Sequence, residues 1–292
     1  MKQEDVAALA KTYYEKMRAN YHSTENPKIT PENVFQEGIR HNYALFIELV
    51  DRLMLPGSCV KGAGHLLKTL SLVEEKKSVL FLMKHLGNFD VPCLYSLLSR
   101  EGVQYQEILD RLVFIAGRKL NEDSDIVRSF SEIFSRVVIV PNREIPPETD
   151  DETPGQKAHR EAVVREAGRI NRAALRTMMR LKKEGRIIVL FPLGGRPKSW
   201  LKEKGVKETT SYMRFFDYVH FIEMEGNLLP VGSNMQDEMP RQDRIVFAVS
   251  EPVLTETYLE ESRRLFEKQA EESDFDQFNV DRVMIEIGQA VQ

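Results

Sequence analysis

Residues 78–92 read SVLFLMKHLGNFDVP, and the fold turns on how this stretch divides. Val79 to Met83 is a run of large apolar residues, too short for a globular helix, and predicts a buried strand. Lys84 ends it. His85 follows, then Gly87 and Asn88 as turn formers. Asp90 then opens a segment in which Val91, Leu94, Tyr95 and Leu98 recur at helical spacing. A His thus sits on the lip of a strand and an Asp at a helix start, where loops carry chemistry on a rigid frame. A carboxylate five residues on, across a Gly-containing turn, can fold back to accept the Nδ1 proton of the imidazole and leave Nε2 as a base. The same letters also fit a helix-capping Asp90 beside a His85 that merely packs. Spacing alone does not choose between these readings; the position after a buried strand favours the oriented pair.

Beyond this strand, apolar runs alternate with helical stretches. Further strands are expected at 112–116, 137–140, 186–191, 229–232 and 244–249. Such alternation predicts an α/β fold with a mixed, largely parallel sheet flanked by helices. Ligands of such sheets sit at the carboxyl ends of strands. Four expected strand ends carry polar or basic residues: Lys84-His85, Gly117-Arg118-Lys119, Pro141-Asn142-Arg143 and Gly194-Gly195-Arg196-Pro197-Lys198. Residues 144–156, acidic and proline-rich, read as a mobile surface loop, and 253–292 as charged helices without chemistry.

Upstream, Val6, Leu9, Ala10, Tyr13 and Met17 mark an amphipathic helix over 4–19. Thr30 as cap and Pro31 in the first turn predict a second helix, carrying Val34, Ile39, Phe46, Leu49 and Leu53 and ending at Pro56-Gly57. A short third helix is expected around 65–73. The reading is a small N-terminal helical domain over 1–73, a lysine-rich linker at 74–77, and a catalytic α/β domain over 74–292.

The 292 residues are 42% hydrophobic and 29% charged, an ordinary globular composition able to bury a sizeable core. A net charge of −4 argues against general nucleic-acid binding, which depends on clustered cations, so any anionic ligand must meet local basic groups. The two cysteines, Cys59 and Cys93, have no paired spacing and suggest neither disulfides nor a zinc site. Reduced thiols, a charged N-terminus and the lack of a long apolar run are expected of a cytoplasmic protein, membrane-associated at most from outside.

Between residues 160 and 183, Ala167, Ile170, Ala174, Met178 and Leu181 share one helical face, and Arg165, Arg169, Arg172, Arg176, Arg180 and Lys183 the opposite one. A solvated face is the bland account. Like charges in register repel by a few tenths of a kcal/mol per pair, which makes an anionic partner the alternative: an acidic carrier protein, or peripheral contact with phospholipid headgroups.

The second motif is IIVLFPLGGRPKSW, residues 187–200. A buried strand runs into Pro192 and two glycines whose missing side chains allow close backbone approach to a ligand. Arg196 and Lys198 follow. Guanidinium and ammonium groups beside exposed amides suit a phosphomonoester; a tight turn with solvent-facing cations is the structural alternative.

With both motifs in place, the sequence resembles the glycerolipid acyltransferase family, which shares a His-x-x-x-x-Asp block and, further on, a Phe-Pro-x-Gly block. It is most similar to the soluble, plastid-type glycerol-3-phosphate 1-O-acyltransferases, in which a helical domain precedes the catalytic α/β domain. Four further matches favour that branch: the linker and strand leading to His85, Phe114-Ile115-Ala116-Gly117, Asn171-Arg172 onward to Gly185, and Gly194-Gly195-Arg196. The likeness spans roughly residues 55 to 260, specific in the two blocks and looser between them.

The resemblance implies transfer of a fatty acyl group from an acyl-carrier-protein or acyl-CoA thioester to the 1-hydroxyl of glycerol 3-phosphate, giving lysophosphatidate, with no cofactor and no metal. His85 is then the general base and Asp90 its orienting partner, and attack on the thioester is direct. Neither block places a Ser or Cys beside the His as a nucleophile. The resemblance assigns the substrate phosphate to Arg143, Lys119, Gly194, Gly195, Arg196 and Lys198, with amides near the two glycines as candidates for the oxyanion. The chain departs from the family at Lys84, where Asn is usual, at Asn142-Arg143 in place of a Lys-His pair, at Lys198 in place of an Arg, and at Phe89-Asp90-Val91-Pro92. A cation at residue 84 lowers the imidazole pKa unless it points away. Acylation of 1-acylglycerol 3-phosphate at position 2, and a non-catalytic module binding lipid or carrier protein, are the alternatives.

Overall fold

Alternate residues of a strand face opposite sides of its sheet, so a strand buried on both sides reads as an unbroken apolar run. This accounts for Val79 to Met83: Val79, Phe81 and Met83 enter one hydrophobic cluster, and Leu80 and Leu82 the other. Ile187 and Val189 divide from Ile188 and Leu190 in the same way, as do Leu112 and Phe114 from Val113 and Ile115. The computed structural model describes residues 2–20, 28–122, 125–149 (side chains of 125–127 excepted), 151–196, 200, 203–232, 238–268 and 274–289.

The strands are β1 (Phe35–Gln36), β2 (Cys59–Lys61), β3 (Val79–Met83), β4 (Leu112–Gly117), β5 (Arg136–Ile139), β6 (Ile187–Leu190), β7 (Tyr218–Glu225), β8 (Val246–Val249) and β9 (Val253–Leu254). They form one sheet in the order β1-β5-β4-β6-β3-β7-β8-β2, with β9 also on β7. The run β5-β4-β6-β3-β7 is parallel, as is β2 with β8; β1, β8 and β9 pair antiparallel with β5, β7 and β7. The fold is therefore the mixed, mostly parallel α/β sheet that the alternating pattern predicts.

One face of the sheet is covered by α1 (Gln3–Ala19), α2 (Tyr43–Leu53), α3 (Ala63–Glu74), α4 (Asp90–Glu101) and α5 (Gln104–Arg111). The other face carries α8 (Pro154–Lys183), α9 (Glu208–Met213), α10 (Thr255–Lys268) and α11 (Phe275–Gln289). Two short helices, α6 (Lys119–Glu122) and α7 (Asp125–Ser131), connect β4 to β5. The α8 helix begins with a reciprocal cap, in which the Thr153 hydroxyl receives the Gln156 N–H and the Gln156 side chain receives the Thr153 N–H, with Pro154 at the first helical position. The proline-rich stretch ahead of it thus ends as a helix start. Asn171 then ties α8 to the carboxyl end of β5, accepting from Val140 N at 2.8 Å and donating to Val140 O at 2.9 Å.

The N-terminal segment differs from its sequence reading. Residues 30–39 form turns and β1 rather than a helix, and the second helix starts only at Tyr43. The Thr30 amide is taken by the Asn33 side chain, which closes a local turn instead of opening a helix. Residues 59–61 form a strand, and α1, α2 and α3 share one apolar cluster with β3, β4 and β8, so packing is continuous across residues 73 and 74. Residues 229–232 are not a strand: Leu228 and Leu229 are buried in the connection after β7. The strand there is β7, which the sequence reading missed.

Candidate active site

Parallel pairing sets the carboxyl ends of β3, β6, β4 and β5 side by side, so the four polar strand ends lie along one edge. At β3, His85 Nδ1 lies 2.9 Å from Asp90 Oδ2. Asp90 is the first residue of α4 and 1% exposed, yet its carboxylate turns backward onto the loop instead of capping the helix. It accepts the N–H of Leu86 at 2.6 Å and of Gly87 at 2.9 and 3.0 Å. A carboxylate receiving these donors has no proton to give, so the imidazole donates from Nδ1 and its Nε2 is left as the acceptor. The ring lies flat on Phe191, centroids 4.2 Å apart, and its side chain is 16% exposed.

A residue that sequence reasoning passed over braces this loop. Asn227, in the connection after β7, donates from Nδ2 to Leu86 O at 2.9 Å and accepts the Leu229 N–H at 2.9 Å. Its own N–H is held by Asp243 Oδ2 at 3.0 Å. Asn227 packs so closely on Gly87 that a Cβ there would overlap Asn227 Oδ1 and stand 2.7 Å from Leu229 O. Glycine at 87 is a steric requirement. The only signal in the sequence was the Gly226-Asn227 dipeptide, which marks a turn but not its partner.

At β6, Gly194 N–H closes a turn onto Phe191 O at 2.8 Å, and Gly194 adopts φ +62°, a conformation open to glycine. The Gly194 amide is thereby used within the turn; that of Gly195 has no partner among the described residues. Arg143, exposed on the single helical turn after β5, lays its guanidinium where a Cβ on Gly195 would be. One line of contacts therefore runs from Asp90 through His85 and Phe191 to Gly194, Gly195 and Arg143.

The other expected phosphate ligands stand differently. Arg196 is paired with Glu238 at 2.6 Å, the two side chains 16% and 4% exposed, so its charge is already met. Lys119 is exposed at the start of α6, and no contact joins it to Arg143 or Gly195 among the described residues. Its neighbour Arg118 pairs at 2.8 Å with Glu144, whose side chain is 3% exposed. Lys198 lies outside the described residues. Lys84 points away from the imidazole and pairs with Glu223, its ammonium 5.5 Å from the Trp200 ring centroid.

The cationic face of α8 is exposed along Arg165, Arg169, Arg172, Arg176, Arg180 and Lys183. Two of these have acids one turn away, which the sequence reading overlooked: Arg165 lies 3.5 Å from Glu161 and Arg180 lies 2.7 Å from Glu184. Among the described residues Arg169, Arg172, Arg176 and Lys183 have no such pairing.

Of the remaining histidines, His65 is held by Val249 O and Glu251, and His220 is wholly buried in β7 between Thr69 and Ser250 O. Burial pushes the His220 pKa down to about 4. Among the described residues no group of three or more His, Cys, Asp or Glu is placed to hold a metal ion, and no helix is long and apolar enough to cross a membrane. A cavity of about 50 Å³ beside Arg40 and Tyr95 and a groove of about 260 Å³ along Lys28, Pro31 and Arg169 lie elsewhere, neither lined by His85. Set against known proteins, the chain matches no family model and no curated sequence.

Proposed function

We propose that the protein transfers a fatty acyl group from an acyl-carrier-protein or acyl-CoA thioester to the 1-hydroxyl of glycerol 3-phosphate. His85 Nε2 takes the hydroxyl proton while the oxygen attacks the thioester carbon, giving a tetrahedral oxyanion. Collapse expels the thiolate, which recovers the proton from the imidazolium, so the products are lysophosphatidate and free thiol. Asp90 orients the ring throughout and stabilises the cation that forms. General-base assistance of this kind contributes about 10²- to 10⁴-fold, the rest coming from holding two substrates in register. Arg143 and the Gly195 amide meet the phosphate. The exposed cations of α8, Arg172 and Arg176 among them, meet an acidic carrier protein, and changing both to Glu raises the Michaelis constant for that donor.

The observation that carries this reading is the Asp90-oriented imidazole at the mouth shared by β3 and β6, linked by Phe191 to the Gly195–Arg143 contact. The test offers radiolabelled glycerol 3-phosphate with carrier-protein and CoA thioesters to the wild-type chain and to His85→Ala. Labelled lysophosphatidate from the wild type, lost with His85→Ala while glycerol 3-phosphate still binds, is the expected result. Absence of product from the wild type with either donor, or product formation indifferent to His85→Ala, rejects it.

A further inference from the structure

The chain has a cation next to its candidate base, and the fold disposes of it in a specific way. One residue past β3, Lys84 still donates its N–H to Ile222 O at 2.9 Å, so it remains in register with β7. Successive residues of an extended segment face opposite ways. His85 accordingly leaves the sheet toward Phe191, in the layer of α4, and Lys84 leaves it toward Trp200, in the layer of α8 and α11. There the ammonium meets Glu223 Oε1.

Glu223 is an expensive partner. Its side chain is 4% exposed, and its second oxygen, Oε2, is buried with no hydrogen-bond partner among the described residues. Burial raises its carboxyl above the ordinary value, and Lys84 opposes that rise. A buried ion pair with an unsatisfied oxygen contributes little to stability, because desolvation offsets the Coulomb attraction. Stability therefore does not explain why this pair stands one residue from His85.

Resting on the reading of His85 as the base, we infer that Glu223 is a positioning residue: it holds the Lys84 ammonium on the far side of the sheet and so preserves the basicity of the imidazole. The surrounding charges leave that task to it. His85 faces Asp90 from α4 and the uncharged Phe191 after β6. Glu223 faces Lys84 after β3 and Glu225 along its own strand, while α11 offers it the uncharged Gly288, whose Cβ would lie 4.0 Å from Oε2. The charged Arg282 of α11 is engaged by Glu261 of α10 at 3.6 Å and by Glu286 of its own helix at 3.7 Å.

The test follows the His85 ring by NMR across pH in the wild type, Glu223→Gln, Glu223→Asp and the double variant Glu223→Gln/Lys84→Met. Removing the anion leaves an unbalanced cation near His85, and the ring titration is expected to move to lower pH in Glu223→Gln. Glu223→Asp keeps the charge and stays near wild type, and the double variant returns to it. The acid limb of kcat/KM against pH moves with the ring titration. A His85 titration unchanged in folded Glu223→Gln, a fall as large in Glu223→Asp, or a fall that survives in the double variant overturns the inference. The ring titration needs no turnover, so a chain that shows the shift but transfers no acyl group rejects the acyltransferase reading and not the positioning.

Discussion

Arg143 lies against Gly195 so closely that a single methyl group on residue 195 would occupy the place of its Nη1. Gly195→Ala must therefore displace the guanidinium from the turn after β6. A hydrogen bond to a charged group is worth about 1.5–3 kcal/mol, so the Michaelis constant for glycerol 3-phosphate is expected to rise about 10- to 100-fold with kcat nearly unchanged. Steady-state kinetics in the acceptor alone decide it; an unchanged constant removes Arg143 from the phosphate site.

Asn227 supports the loop that carries His85 and Asp90 without touching either ring or carboxylate. Asn227→Ala leaves Leu86 O and Leu229 N–H without their partner, at a cost of about 1–2 kcal/mol in stability by urea unfolding. With the base less well aimed, kcat is expected to drop about tenfold or more while both Michaelis constants hold. A variant with unaltered kcat would show that the loop keeps its shape unaided.

Glu238 holds the guanidinium of Arg196, and on the proposed reading a substrate phosphate that reached Arg196 would compete with it. Glu238→Gln removes the competing anion and keeps the shape. The acceptor's Michaelis constant is expected to fall by roughly threefold or more. A rise instead would assign Glu238 the task of aiming Arg196.

His220 supplies a pH dependence unrelated to catalysis. Its pKa is depressed by burial from 6.5 to about 4 in the folded chain, so the unfolded chain binds the proton more readily. The stabilisation is complete above pH 6.5 and is lost as pH falls toward 4, amounting to about 2 kcal/mol between pH 7 and pH 5. Urea unfolding at the two pH values checks it, with His220→Gln expected to flatten the slope.

What could be read from the sequence is what depends on neighbours along the chain. Val79 to Met83, Leu112 to Gly117 and Ile187 to Leu190 are apolar on both faces and were legible as strands, and the five-residue return from His85 to Asp90 closes within one loop. The pieces that escaped are those whose reasons lie far away. In β7, YVHFIEME, polar residues break the apolar run; they are tolerated because His220 pairs with Thr69 of α3 and Glu223 accepts from Lys84 after β3. Glu238 on Arg196 and Asn227 on Leu86 span 42 and 141 residues, separations at which no periodicity operates. Sequence did place cations at the strand ends, but it could not tell that Arg118 and Arg196 are engaged by acids while Arg143 lies open beside glycine.

The sheet's outermost strands, β1 and β2, both come from the first sixty or so residues, one at each border. They are 2 and 3 residues long, which leaves little unpaired backbone for another chain to template on. Their partners, residues 136–137 and 246–248, leave the ribosome much later. The opening segment therefore cannot hem both sides until residues 246–248 have been made, so its two border pairings are long-range contacts that close late.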